Sequence, residues 1–106
     1  MNTAQKEVKL SRYDDFPVGI GTVYKIKEIE IAVFKLSTGE IYAIENKSPH
    51  PKGGRLSDGL VSGGYLYCPL HDWKISLKDG KVQAPDKGEV RTFKVEHLND
   101  QVYIHI

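Results

Sequence analysis

The feature that most constrains this fold is its punctuation. From Val23 to Ile106 the apolar runs are strand-length, rich in β-branched and aromatic residues, and cut by turns containing Gly, Asn or Asp. Val23, Ile26, Ile29, Ile31, Val33 and Phe34, with lysine and glutamate between them, predict two short strands or one bent one. Ser37-Thr38-Gly39-Glu40 then separates that stretch from Ile41-Tyr42-Ala43-Ile44, a hairpin signal. Gly63-Gly64 introduces a strand at Tyr65-Leu66-Tyr67. A second hairpin is expected where Trp73 to Leu77 and Val82 flank Lys78-Asp79-Gly80-Lys81, because both central residues of an Asp-Gly turn tolerate positive φ. A third is expected from Thr92 to His97 and Gln101 to Ile106 about Asn99-Asp100, where Phe93, Val95, Val102, Ile104 and Ile106 alternate with polar neighbours. Only Asp14 to Gly19 and the stretch around Leu56 to Leu60 leave room for a helical turn. The expected class is all-β: a sandwich or small barrel of short antiparallel strands.

Composition narrows what such a domain does. A chain of 106 residues has material for one core, so a single domain over 1–106 is expected. Fifteen Lys and Arg against fourteen Asp and Glu give a net charge of +1, which supplies no driving force for nucleic acid or an anionic membrane. No apolar run is long enough to span a bilayer, and Met1 to Lys9 lacks the apolar stretch of a signal peptide, so a cytoplasmic location is the expectation. The lone cysteine, Cys68, cannot form an internal disulfide, and it limits any iron-sulfur centre to one thiolate from this chain.

Two loops rich in Pro, Gly and His stand between the first and second hairpins: Ser48-Pro49-His50-Pro51-Lys52-Gly53-Gly54 and Cys68-Pro69-Leu70-His71-Asp72-Trp73. A bland β-domain has no need of them. Together they resemble the Rieske signature, Cys-x-His followed at a distance by Cys-x-x-His, with 17 residues between His50 and Cys68 and with Ser48 in the first cysteine's place. The fold implied is a Rieske-type domain whose two loops form a cluster-binding tip. Such a [2Fe-2S] centre sets two thiolates on one iron and two neutral imidazoles on the other, one of each per loop. The resemblance therefore makes His50, Cys68 and His71 the cofactor or metal ligands, with Ser48 in place of the missing thiol. Pro49, Gly53, Gly54 and Pro69 would shape loops that aim N–H groups at the cluster sulfurs.

Cys-Pro-Leu-His-Asp-Trp is more similar to the small subunit of bacterial assimilatory NAD(P)H nitrite reductase than to a general ferredoxin, where Gly usually follows the histidine. That likeness runs from Val8 through Ala84-Pro85-Asp86-Lys87-Gly88 to the last strand. It implies an accessory or electron-transfer subunit, not catalytic alone, beside a large catalytic subunit that carries flavin, sirohaem and its own iron-sulfur centre and reduces nitrite to ammonium. In this family the small subunit occurs with and without the ligand set. A serine hydroxyl is far harder to deprotonate than a thiol, so no stably bound cluster is expected here, with [2Fe-2S] as the alternative. Registering the first loop from Gly53-Gly54 puts Pro51 in the histidine's place and displaces His50.

Other readings stay open. Cys68, His50 and His71 could hold a mononuclear zinc with water in the fourth place. Cys68 as a nucleophile has His71 three residues away and no further cue. His50 and His71 could be ordinary polar loop residues. Trp73, Tyr65 and Tyr67 are read as packing beside the loops, or as part of a docking surface with Pro49, His50, Gly53, Gly54, Pro69 and His71. His97 and His105 look solvent-side. The rival functions are a free-standing Rieske ferredoxin serving an oxygenase and a non-redox interaction module of the same fold.

Overall fold

The computed structural model describes residues 7–48, 54–68 and 73–106. Nine strands form, with two short 3-10 turns at Tyr13–Asp15 and Leu56–Asp58 as the only helical elements among the described residues. The strands are β1 (Glu7–Arg12), β2 (Thr22–Ile26), β3 (Ile29–Lys35), β4 (Ile41–Glu45), β5 (Leu60–Ser62), β6 (Tyr65–Tyr67), β7 (Lys74–Ser76), β8 (Thr92–Leu98) and β9 (Gln101–His105). They make a six-stranded sheet in the order β1-β9-β8-β4-β3-β2 and a three-stranded sheet in the order β5-β6-β7. Every strand pairing is antiparallel.

The stretch from Val23 to Leu36 resolves into two strands. Lys27 and Glu28 take φ of 52° and 67°, and Ile26 faces Ile29 across the turn. Paired positive φ angles suit the right-handed twist of a tight hairpin, but they occur here at residues that carry no turn signature. The hairpins about Gly39 and Asn99 form as expected, with φ of 98° and 57° at those residues.

The Asp79-Gly80 turn forms differently from its expectation. Only Gly80 takes positive φ, 76°, while the Asp79 carboxylate accepts the Lys81 N–H at 3.0 Å. The return arm is a single bridge, Ile75 to Val82, made by the Ser76 N–H to the Lys81 carbonyl at 2.9 Å and the Gln83 N–H to the Lys74 carbonyl at 2.8 Å, while the Val82 N–H goes to the Gly88 carbonyl at 2.9 Å. Two strands had no forecast: β5, too short to show a period, and β1, whose alternation is interrupted by a register shift between Lys9 and Arg12.

Strand β3 is the backbone of the core. Ile31, Ala32, Val33 and Phe34 are each 0% exposed, so both its faces are covered. Ala32 and Phe34 join Ile44, Leu56, Leu66, Cys68, Ile75 and Leu77 in one cluster. Ile31 and Val33 point the other way, to Leu10, Phe16, Ala43, Phe93, Val102 and Ile104. The first cluster joins the large sheet to the small one, and it is the one that carries the loop bases. Gly59 belongs to that junction: a Cβ there would lie 2.7 Å from the Tyr67 carbonyl oxygen and from Leu66 Cδ1, so the chain needs glycine to pass β6.

Candidate functional site: two loop bases closed on Ser48 and Cys68

Each loop leaves a strand end and is pinched shut by one backbone hydrogen bond. Past β4, the Ser48 N–H donates to the Gly54 carbonyl at 3.0 Å, and Gly54 takes φ of 122°, a conformation costly for any side chain. Past β6, the Cys68 N–H donates to the Trp73 carbonyl at 2.9 Å. The two pinch points are adjacent, with Ser48 Oγ 3.5 Å from Cys68 Sγ and both residues buried, at 4% and 3% exposure.

A second polar group braces this pair from behind. Asn46 is 6% exposed and sits between β4 and the first loop. Its amide nitrogen donates to Glu30 Oε1 at 2.9 Å and to Ser57 Oγ at 3.1 Å, and its oxygen accepts the Ser57 N–H at 2.7 Å. The 3-10 turn Leu56–Asp58, which brings the chain out of the first loop, is thereby tied to the strand that led in. Arg55 closes the outer side with an ion pair to Glu30 at 3.4 Å. Sequence reasoning passed over Asn46 and Ser57. An asparagine immediately after a buried strand and ahead of a Ser-Pro-His loop was the available signal, because buried amides persist only where their hydrogen bonds are satisfied.

Of the residues singled out in the sequence, Ser48, Gly54, Cys68 and Trp73 come together at these bases, and Trp73 packs half-buried on the core cluster that contains Cys68. Pro49, His50, Gly53, Pro69 and His71 lie outside the described residues. Tyr65 and Tyr67 are half-buried, with the Lys74 ammonium 4.2 Å and 6.0 Å from their ring centroids. His97 is exposed and stacked on Tyr13, with ring centroids 4.1 Å apart. His105 departs from expectation: its side chain is only 18% exposed and lies against two glutamates.

Spacing and chemistry disagree at Ser48. At 3.5 Å the hydroxyl and the thiol are hydrogen-bonded to each other, and this is also about the separation of an oxygen and a sulfur bound to one tetrahedral ion at about 2.0 and 2.3 Å. The donors themselves are one thiol and one hydroxyl, and the chain has no second cysteine. A Rieske-type centre asks for two thiolates on that iron. The residues present therefore do not make up its ligand set.

Comparison with known proteins identifies the fold family. Residues 7–105 match the Rieske-like [2Fe-2S] domain. The chain belongs to that family. A ferredoxin component of naphthalene 1,2-dioxygenase/salicylate 5-hydroxylase systems from Ralstonia sp. is 34% identical over 92 residues, covering 86% of each chain. The nitrite reductase [NAD(P)H] of Emericella nidulans is 30% identical over 105 residues, covering 91% of this chain but only 9% of that much longer protein. Among solved structures, a protein assigned as an NADH-dependent nitrite reductase small subunit from Mycobacterium tuberculosis superposes with a TM-score of 0.84 at 20% identity, covering 96% of both chains. A second, assigned as an NADPH nitrite reductase small subunit, has a TM-score of 0.78 at 26% identity and covers 93% of this chain and 97% of its own. This Rieske-like domain is thus related both to nitrite reductase small subunits and to oxygenase ferredoxins, with one cluster ligand replaced.

Proposed function

We propose that this chain is the small accessory subunit of a cytoplasmic assimilatory NAD(P)H nitrite reductase, supporting a large subunit that binds flavin and sirohaem and reduces nitrite to ammonium. The observation that carries the reading is the Ser48 hydroxyl 3.5 Å from Cys68 Sγ, where a one-electron carrier needs a second thiolate. A free-standing ferredoxin has no function without its cluster, whereas an accessory subunit keeps its role through its surface. Overall shape does not divide the two readings: a nitrite reductase small-subunit structure and the ferredoxin of carbazole 1,9a-dioxygenase from Nocardioides aromaticivorans both superpose with TM-scores of 0.84. His50, Cys68 and His71 are then the remnant of a ligand set that binds no stable cluster, and the loop tip with Trp73 is the docking surface.

One observation favours the rival. The ferredoxin component from Ralstonia sp. is the more similar relative by identity over comparable lengths, 34% against 30%. Under that reading the chain would carry a [2Fe-2S] centre and pass electrons to an oxygenase.

Two measurements divide them. Affinity purification from the native host at endogenous level should bring down a large flavin- and sirohaem-containing polypeptide. Iron and acid-labile sulfide in the anaerobically purified chain should fall well below two of each per chain. A brown protein with stoichiometric iron and sulfide, and no such partner, would make it a ferredoxin. Ser48→Cys then tests the register: a stable cluster in this variant puts His50 in its ligand place, and none means Pro51 has shifted the loop.

A further inference from the structure

A second group of metal-type ligands lies on the three neighbouring strands β1, β9 and β8, beyond anything the nitrite reductase reading uses. Alternation sends Val8, Leu10, Val95, Val102 and Ile104 into the core beneath this part of the sheet. Glu7, Glu96 and His105 therefore share the opposite face. Glu7 is directly across from His105 in the β1/β9 register, and Glu96 is diagonal to it, because Lys94 is the residue facing His105 on β8. The imidazole Nε2 stands 2.6 Å from Glu96 Oε1 and 3.6 Å from Glu7 Oε2. One ligand atom from each of the three residues lies within 4.8 Å of the others.

The nitrogen at the centre is the informative atom. His105 Nε2 is buried and makes no hydrogen bond of acceptable geometry, although a carboxylate oxygen is so near. Two carboxylates thus converge on a buried ring nitrogen that has no hydrogen bond of its own, an arrangement that a proton on the imidazole or a metal cation shared by the three groups would stabilise. Lys94 does not fill that place: its ammonium lies 3.9 Å from Glu96 Oε1, with a side chain 70% exposed. Glu7 is 47% and Glu96 32% exposed, so an ion reaches the group from solvent. Nε2 and Glu96 Oε1 stand here at ion-pair distance, and the partly exposed Glu96 carboxylate would swing outward to the roughly 3.3 Å that two donors about 2.0 Å from one tetrahedral ion keep.

We propose that Glu7, Glu96 and His105 form a binding site for a divalent first-row transition ion such as zinc, held by one imidazole and two carboxylates with water in the remaining position. The ion would neutralise the two glutamates and clamp β1 to β8 across β9. This site is separate from the loop bases. From the Ile44–Thr92 pairing β4 runs on toward Ser48, while β8 runs in the opposite sense toward Glu96.

Zinc alone, titrated into the metal-free full chain and followed by calorimetry, tests this. Wild type should bind an equivalent of zinc that Cys68→Ser retains, while His105→Gln and the double variant Glu7→Gln/Glu96→Gln weaken it by more than about tenfold, as loss of a direct ligand should. Zinc should raise the Tm of wild type and leave that of the double variant unmoved. Because both glutamates are partly exposed, the double variant keeps the fold and the comparison stands even if Cys68→Ser does not fold. In wild type, zinc should also shift the His105 ring resonances. Absence of binding, equal affinity in wild type and the double variant, or binding abolished only by Cys68→Ser in a folded protein would each overturn the site.

Discussion

The two faces of β3 build different kinds of core. Toward β8, β9 and β1, Ile31 and Val33 meet residues from long strands that alternate regularly, such as Phe93, Val102 and Ile104. Toward the small sheet, Ala32 and Phe34 meet Leu56, Leu66, Cys68, Ile75 and Leu77, drawn from a 3-10 turn, two three-residue strands and the loop base itself. In the first core no member belongs to the loop bases. In the second, the sulfur that would serve a cluster is also a packing atom. Cys68 is therefore held in place by hydrophobic contacts, one backbone hydrogen bond and its side-chain hydrogen bond with Ser48. The base of the cradle is thus part of the core, where the Ser48 side chain is buried against Cys68.

Truncating each face in turn gives the largest effect. Phe34→Ala and Ile104→Ala both remove side chains that are 0% exposed, and should destabilise by about 3–5 and 2–5 kcal/mol respectively in urea unfolding. The contrast lies in a second readout. Under native conditions, labelling of the Cys68 thiol should speed up in Phe34→Ala by more than global stability accounts for, because its own packing is loosened. In Ile104→Ala it should track the lost stability alone. Equal behaviour of the two variants would mean that the faces form one core and that the distinction has no energetic content.

Asn46→Ala should have a middling effect. It leaves the Ser57 N–H without its acceptor and removes both donations from the amide, at a cost of about 1–3 kcal/mol. The effect should concentrate at the loop bases: amide exchange at Ser57 and Ser48 should accelerate while that of Val102 and Ile104 keeps its rank. Uniform acceleration would show that Asn46 supports the whole fold rather than the exit from the first loop.

The same contrast governs what the sequence disclosed. Regular alternation made the hairpin of β8 and β9 readable, with Asn99 turning it, and the β3 to β4 hairpin was readable from Gly39. The fold family was readable from Cys68 and the spacing of the two loops. The short elements were not: β5 has three residues, which is too few to show a period, and Lys27-Glu28 turns the chain without a turn residue because flanking pairing imposes the conformation. At the site, the proximity of Ser48 and Cys68 followed from the motif. The brace by Asn46 and Ser57, and the convergence of Glu7, Glu96 and His105, did not. The first pair meets because the chain returns through a 3-10 turn after the first loop, and the second group because β1, β9 and β8 are neighbours, neither of which a single-chain pattern states.

The smallest effect belongs to the Asp79 turn, on the loop-bearing side of β3. The Lys81 N–H bonded to the carboxylate is the main cause that holds Asp79 below its ordinary pKa, against an opposing loss of solvation. A carboxyl whose folded-state pKa is depressed contributes stability that is fully present above its unfolded value and is lost as pH falls through the folded one. Wild type and Asp79→Asn should therefore differ at neutral pH and converge in the acid range below the ordinary carboxylate pKa, when urea midpoints are compared from pH 7 downward. The residue is fully exposed, so the difference should be small. It should leave Cys68 labelling unchanged, because the turn is anchored on β7 by the Ser76 and Gly80 backbone bonds, which remain when the carboxylate is replaced. A gap between the two proteins that widens toward low pH would reverse the sign of this argument, and would mean that the carboxylate is better solvated in the unfolded chain than at the turn.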